Sequence, residues 1–315
     1  MHIVVLGATG HIGTFLIPRL IEAGHSVTAV SRGKSKPYLD HPHWRLVRQV
    51  ILDREELEAN NTFGEAIAQE KPDVVIDLIC FTPESAKQLC EALQGKIQHF
   101  ISCGSIWVHG PAEVVPTTED HPRNTIGEYG IGKAKIEAYL HKKSREEGFP
   151  ATIIHPGHIV GPGWLPLNPQ GHFNKKVWET IKKGEALTLA NLGLETVNHV
   201  HADDLAQLFM LCLERRSVTL GESFHGVAAK AVTLRGYAAW AYRYFGKEPH
   251  IKYSPSGELQ SKLSKEDAWF MMDHVSRSPC CSIEKAQDLL GYKPRYTSFQ
   301  AIDEALQALI RQGAL

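Results

Sequence analysis

Tyr129 and Lys133 stand four residues apart in Glu128-Tyr-Gly-Ile-Gly-Lys-Ala-Lys135. The segment leads into an amphipathic helix ending near Gly148, which puts both side chains one turn apart on one face. An ammonium beside a phenol favours the phenolate. A tyrosine so tuned exchanges a proton with a substrate hydroxyl near neutral pH. Ser105, in Ser102-Cys-Gly-Ser-Ile-Trp-Val-His-Gly110, would hold the same substrate oxygen. Tyr-x-x-x-Lys is common on surface helices, so the surrounding elements must give the set its meaning.

A second pattern opens the chain. Ile3 to Leu6 make one apolar strand, and Gly7, Gly10 and Gly13 follow at three-residue spacing. Ile12, Phe15, Leu16 and Leu20 then keep a helical period as far as Ala23. A strand, a glycine turn and a helix form a dinucleotide cradle. The first glycine makes the turn, the second admits the pyrophosphate, and the third lets helix pack on strand. Gly7, Thr9, Gly10, His11, Ile12 and Gly13 are the cofactor residues expected here. The strand Ser26 to Val30 ends in Ser31-Arg32-Gly33-Lys34-Ser35-Lys36, where an acid would bind the 2′-hydroxyl of NAD. Ser31 and Arg32 suit a 2′-phosphate instead. NADP is therefore favoured, with NAD the alternative.

These elements repeat. A third strand is expected over Trp44–Val47 and a helix from the cap Asp53 to about Gln69. Val74–Cys80 is a fourth strand, Pro83–Leu93 a helix, and His99–Cys103, Ala151–His155 and Glu222–Gly226 are strands five to seven. The alternation predicts an α/β fold, a doubly wound parallel (Rossmann) sheet, with a smaller C-terminal substrate lobe. Residues 1–160 with about 197–227 make the dinucleotide domain, and about 161–196 with 228–315 the lobe. His201, Asp203 and Asp204 are expected to cap a helix and join the two.

The 315 residues are 43% hydrophobic and 22% charged, with net charge −1. That balance predicts neither nucleic acid nor an anionic membrane as partner. No apolar run approaches a membrane span, and the first residues already build a strand rather than a signal peptide. The six cysteines lack metal-ligand spacing, and the 17 histidines form no ligand motif, so no metal is expected. Reduced thiols fit the cytoplasm.

Together the glycine turn, Ser105 ahead of Gly110, and Tyr129-x-x-x-Lys133 resemble the short-chain dehydrogenase/reductase family in its extended, NAD(P)-dependent epimerase/dehydratase-like branch. His155-Pro-Gly-His-Ile-Val-Gly-Pro-Gly163, Val200-His-Ala-Asp-Asp-Leu-Ala206 and Ser282 to Pro294 extend the likeness over essentially the whole chain. The resemblance implies Ser105, Tyr129 and Lys133 as a catalytic triad, with Lys133 also holding the nicotinamide ribose and Pro156 and Gly157 lining the nicotinamide. It also implies a homodimer through the helices at Pro83–Leu93 and Tyr129–Arg145.

Five residues, at four places, depart from the pattern. Val50 replaces the adenine aspartate, and His155 the arginine before Pro-Gly. Ile106-Trp107 replaces the acidic pair of sugar dehydratases, and Val197 the diphosphate arginine of nucleotide-sugar epimerases. The departures favour simple oxidoreduction of a secondary alcohol or ketone of an unactivated, sugar-like small molecule. Epimerisation of a nucleotide sugar ranks second, and a non-catalytic dinucleotide sensor is the alternative of another class. Phe81, Trp107, His109 and His158 are the expected substrate contacts, with Trp164, His172, Asn174 and His199 as further candidates.

Overall fold

The computed structural model describes residues 1–315. Seven strands form one parallel sheet: β1 His2–Leu6, β2 Ser26–Ser31, β3 Arg48–Ile51, β4 Val74–Asp77, β5 His99–Cys103, β6 Ala151–Pro156 and β7 Ser223–Gly226. Their order is β7-β6-β5-β4-β1-β2-β3. Chain order reverses between β1 and β4, where an open α/β sheet forms its ligand crevice.

Alternation along β1 builds two cores. Ile3 and Val5 face α1 (His11–Glu22), while Val4 and Leu6 face α2 (Pro83–Leu93) and α3 (Gly127–Glu147). Helix α4 (Ala202–Glu214) joins α1 through Leu205, Leu208 and Phe209. Both faces of the sheet are covered at its centre, which is why β1 and β4 read as continuous apolar runs.

Three expected boundaries moved. Trp44 lies in a 3-10 turn, Pro42–Leu46, and β3 starts only at Arg48. Pro42 fixes the turn and His41 Nδ1 caps it by accepting from His43 N at 3.3 Å. Because β3 is a mostly exposed edge strand, it has no apolar run to read. The helix after Asp53 splits into Arg54–Ala59 and Phe63–Gln69, with Asn61 at φ +55° between them. β4 stops at Asp77, whose carboxylate accepts from Ile79 N at 3.1 Å and turns the chain.

The lobe has its own core of Trp178, Tyr237, Tyr242, Ile302 and Leu306. Helices α5 (Lys265–Arg277) and α6 (Ser298–Arg311) belong to it. Between them the chain crosses back, because Cys281, Ile283, Ala286, Leu290 and Tyr292 pack in the core behind the sheet. The lobe is thus not continuous over 228–315; its apolar positions fill two different cores. At the junction His201 Nδ1 caps α4, accepting from Asp203 N at 3.0 Å. Asp203 pairs with Arg19 at 2.6 Å and with Arg295, while Asp204 accepts from the backbone N–H of Arg295 and Tyr296. Capping and joining therefore use the same three residues.

Candidate active site

Ser105, Tyr129 and Lys133 converge at the C-terminal ends of β4 and β5. Lys133 is buried, and its ammonium donates to the carbonyls of Cys80 at 2.7 Å and Cys103 at 2.8 Å. Both neighbouring thiols are pushed up by burial, Cys80 to about 12 and Cys103 to about 11, so only neutral partners hold the lysine. A third ammonium hydrogen stays free. The Nζ lies 5.7 Å from the Tyr129 ring centroid and 4.9 Å from that of Phe81. Ser105 Oγ accepts from Trp107 N at 3.2 Å, which leaves its own proton to donate outward.

His155 locks the Ser105 loop. Its Nδ1 accepts from Ser105 N at 3.0 Å, and its Nε2 donates to Glu137 at 2.8 Å. Arg123 grips Glu137 through two bonds, at 2.7 and 2.8 Å. Burial raises the Glu137 carboxyl, but His155 and Arg123 outweigh it and hold the group well below the usual carboxylate range. The histidine that stands before Pro-Gly thus positions the serine backbone.

Two cavities meet at this point. The first runs from Gly7, Gly10, His11 and Ile12 to Ser105, Tyr129, Lys133 and Pro156, with a volume of about 270 Å³. The second, about 410 Å³, is walled by Trp107, Phe173, Trp269 and Phe270 and by His158, His274, Asp273 and Arg277. Ser105, Tyr129, Pro156, Gly157 and Ile159 line both. A third cavity continues the first along Thr9, Ser31, Arg32, Lys34, Ser35 and Asp53.

The glycine turn fits a pyrophosphate. Gly7 sits at φ +81°, and a Cβ on Gly13 would meet the Ala8 carbonyl oxygen at 2.0 Å. Gly10 caps α1 with no side chain, so the first N–H groups of the helix are open to an anion.

A sequence profile described as "NAD dependent epimerase/dehydratase family" matches residues 3–225. The chain belongs to this family. Relatives at lower likeness differ in their names. The chloroplast stem-loop binding protein of 41 kDa b of Arabidopsis thaliana is 26% identical over 311 residues, covering 96% of this chain and 78% of the relative. The 2′-dehydrokanamycin reductase of Streptomyces kanamyceticus is 29% identical over 204 residues, 65% of this chain and 55% of that one. Among solved structures, the UDP-glucose 4-epimerase of Thermotoga maritima superimposes with TM-score 0.75 at 20% identity, covering 99% of both chains. The UDP-glucuronic acid 4-epimerase of Bacillus cereus, solved with UDP-glucuronic acid and NAD, gives 0.74 at 18% identity, covering 99% of this chain and 100% of that one. These likenesses show a shared fold.

Within this family frame, the glycine-turn residues, Ser31, Arg32 and Pro156 line the cofactor cavities, apart from the fully packed Gly13. Trp107 and His158 line the second cavity. Phe81 does not: it lies exposed along the cofactor groove, over Lys133. His109 is no contact either, since its short 3-10 helix turns it inward to His225 at 2.7 Å. Burial, with His225 and Arg123 nearby, pushes its pKa down to about 2. Trp164 stacks on His11 with ring centroids 3.5 Å apart. His172 is buried against Asn168 and Gln170, Asn174 donates to Asp267, and His199 is fully buried.

The sequence reading missed Asp273, His274 and Arg277, all from α5. Asp273 accepts from Trp107 Nε1 at 2.8 Å and pairs with Arg277. It also missed Tyr38, whose hydroxyl bonds His11 Nε2 at 3.0 Å. Neither set carried a local signal. Elsewhere, Glu22, His41 and His43 bring ligand atoms within 4.8 Å of one another at the surface, although His41 Nδ1 already serves as a cap. No helix is long and apolar enough to cross a membrane.

Proposed function

We propose that this chain is an NAD(P)-dependent oxidoreductase acting on a secondary alcohol or ketone of a sugar-like molecule. One observation carries the reading: the cofactor groove and the aromatic cavity share the wall that bears Ser105 and Tyr129. A bound nicotinamide supplies or accepts the hydride. Tyr129 moves the proton to or from the substrate oxygen, and Ser105 Oγ–H donates to the same oxygen. Lys133, fixed by two carbonyls, keeps one hydrogen that would serve the cofactor ribose and lies beside the tyrosine ring. Gly7, Thr9, Gly10, His11 and Ile12 would hold the pyrophosphate, and Pro156 the nicotinamide.

Arg32 is exposed just after β2, whose own end carries no acid although Asp53 lines the same cavity, and supports a preference for NADP over NAD. Trp107 and His158 are the substrate contacts of this reading. The dinucleotide domain and the lobe would each supply one side of the cleft. Six free thiols suit a reducing compartment such as the cytoplasm. The exposed faces of α2 and α3, including Ile131, would pair two copies into a homodimer.

The test incubates enzyme and cofactor with polyols, sugar lactones, glycosides and nucleotide sugars while nicotinamide absorbance is followed. Net cofactor turnover is expected, falling by about 10²–10⁴-fold in Tyr129→Phe. A nucleotide sugar converted to its epimer without net cofactor change would make the chain an epimerase. Tight cofactor binding with no turnover on any substrate would make it a sensor.

A further inference from the structure

The hydrogen bonds around His158 fix which of its ring nitrogens carries a proton. His274 Nδ1 lies 2.7 Å from the Phe270 carbonyl, which only accepts, so this nitrogen bears the hydrogen. The other nitrogen of a neutral His274, Nε2, is then a lone pair facing His158 Nε2. His158 Nε2 must donate across that contact, and its Nδ1 is left as an acceptor. That Nδ1 has no protein partner, and His158 lines the cavity between Trp107 and Phe173. Burial keeps both rings neutral, driving His274 down to about 4 and His158 further.

The rest of the lining points the same way. Its charged side chains are Glu128 and Asp273 against Arg277 alone. Arg277 is committed through both terminal nitrogens, and only its buried Nε lacks a partner. One guanidinium nitrogen serves Asp273, another donates to the Ile126 carbonyl, and the group stacks 5.0 Å from the Trp107 ring centroid. Val197 is packed in the lobe core with Leu234 and Met271 and supplies no cation. A diphosphate placed here would face two carboxylates. It could recruit Arg277 only in competition with the partly buried Asp273, setting a second anion against one guanidinium. Four aromatic side chains meanwhile line the cavity and offer apolar surface to a sugar ring.

We propose that His158 is a specificity-determining hydrogen-bond acceptor, held in that state by His274, and that the cavity takes a phosphate-free sugar or cyclitol unit presenting O–H or N–H donors. This rests on reading the cavity as the substrate site. His158 accepts from a hydroxyl or ammonium beside the reacting carbon, while Glu128 and Asp273 add acceptors on the same wall.

The full chain, saturated with NADPH or NAD, is titrated with methyl glucoside, methyl glucosaminide, glucose 6-phosphate and UDP-glucose, following tryptophan fluorescence. The two unphosphorylated glycosides should bind at least about tenfold tighter than either phosphorylated sugar, and His158→Phe should weaken both glycosides by about 3–10-fold, the loss of one hydrogen bond. Nitrogen-15 spectra of histidine-labelled wild-type protein, assigned with His158→Phe and His274→Phe, should show His158 protonated on Nε2 only. The spectra keep the test decisive if a variant misfolds.

The proposal is overturned by a proton on His158 Nδ1, by UDP-glucose or glucose 6-phosphate binding as tightly as the glycosides, or by neither glycoside binding. Glycoside binding without hydride transfer would sink the oxidoreductase reading and leave this one standing. Hydride transfer on a nucleotide sugar would do the reverse.

Discussion

Gly10 and Gly13 look equivalent in the sequence, yet the structure predicts opposite consequences for replacing them. A Cβ on Gly13 would lie 2.0 Å from the Ala8 oxygen and 2.6 Å from its carbonyl carbon, both backbone atoms. Relief requires α1 to lift off β1 by about an ångström, and overpacking of that kind costs about 1–3 kcal/mol. The displaced face carries Ile12, Leu16, Ile17 and Leu20, all buried, so the upper end of that range is expected. A Cβ on Gly10 meets only the Gly7 oxygen, at 3.3 Å. Gly10 is extended, at φ −79° and ψ −173°, which alanine adopts freely. Gly10→Ala should therefore leave stability within about 0.5 kcal/mol. It should nonetheless fill the space in front of the first helical N–H groups and weaken NAD(P)H at least about tenfold, or 1.4 kcal/mol. Urea unfolding and calorimetric titration of NADPH read the two effects separately. The reasoning fails if Gly10→Ala destabilises as much as Gly13→Ala, or if it binds cofactor with unchanged affinity.

Arg32→Ala should weaken NADPH by about 5–30-fold, the loss of one exposed charge-assisted bond, and NADH by less than about twofold. Equal weakening would show the basic loop to be only solvated. Acid should destabilise the fold. His109, His199 and His225 are held by burial at about 2, 3 and 3 in the folded state, against 6.5 when exposed. The unfolded chain thus binds more protons between about pH 6.5 and 3, and stability must fall as pH falls through that window. Each histidine contributes up to about 1.4 kcal/mol per pH unit, so the unfolding free energy between pH 7 and 5 should fall more steeply than one group allows. A flat profile would refute the buried neutral histidines. Light scattering at micromolar concentration should give twice the chain mass, and a monomer would remove the α2/α3 interface.

What the sequence determined is local. The glycine turn is legible because Gly7 takes a positive φ and Gly13 answers to the Ala8 carbonyl, only five residues before it. Strands β1 and β4 were readable because burial on both sides writes a continuous apolar run, and Pro83 with Gly148 punctuated α2 and α3. Tyr129 and Lys133 share a face by helical spacing alone.

What tertiary structure decided is which side chains meet across the fold. Asp273 reaches Trp107 from 166 residues away, and His274 meets His158 across 116. No periodicity announces such a partner, because an amphipathic helix records only that one face is buried. The same limit misplaced Phe81 and His109. Distance along the chain from Ser105 or from the end of β4 put them near the site. The direction of each Cβ was set by how the loop packed, and it sent Phe81 over Lys133 and His109 down to His225. The edge strand β3 shifted for the complementary reason. Water on its outer side left no hydrophobic pattern to mark it, so its register is fixed only by pairing with Thr28 to Ser31 of β2.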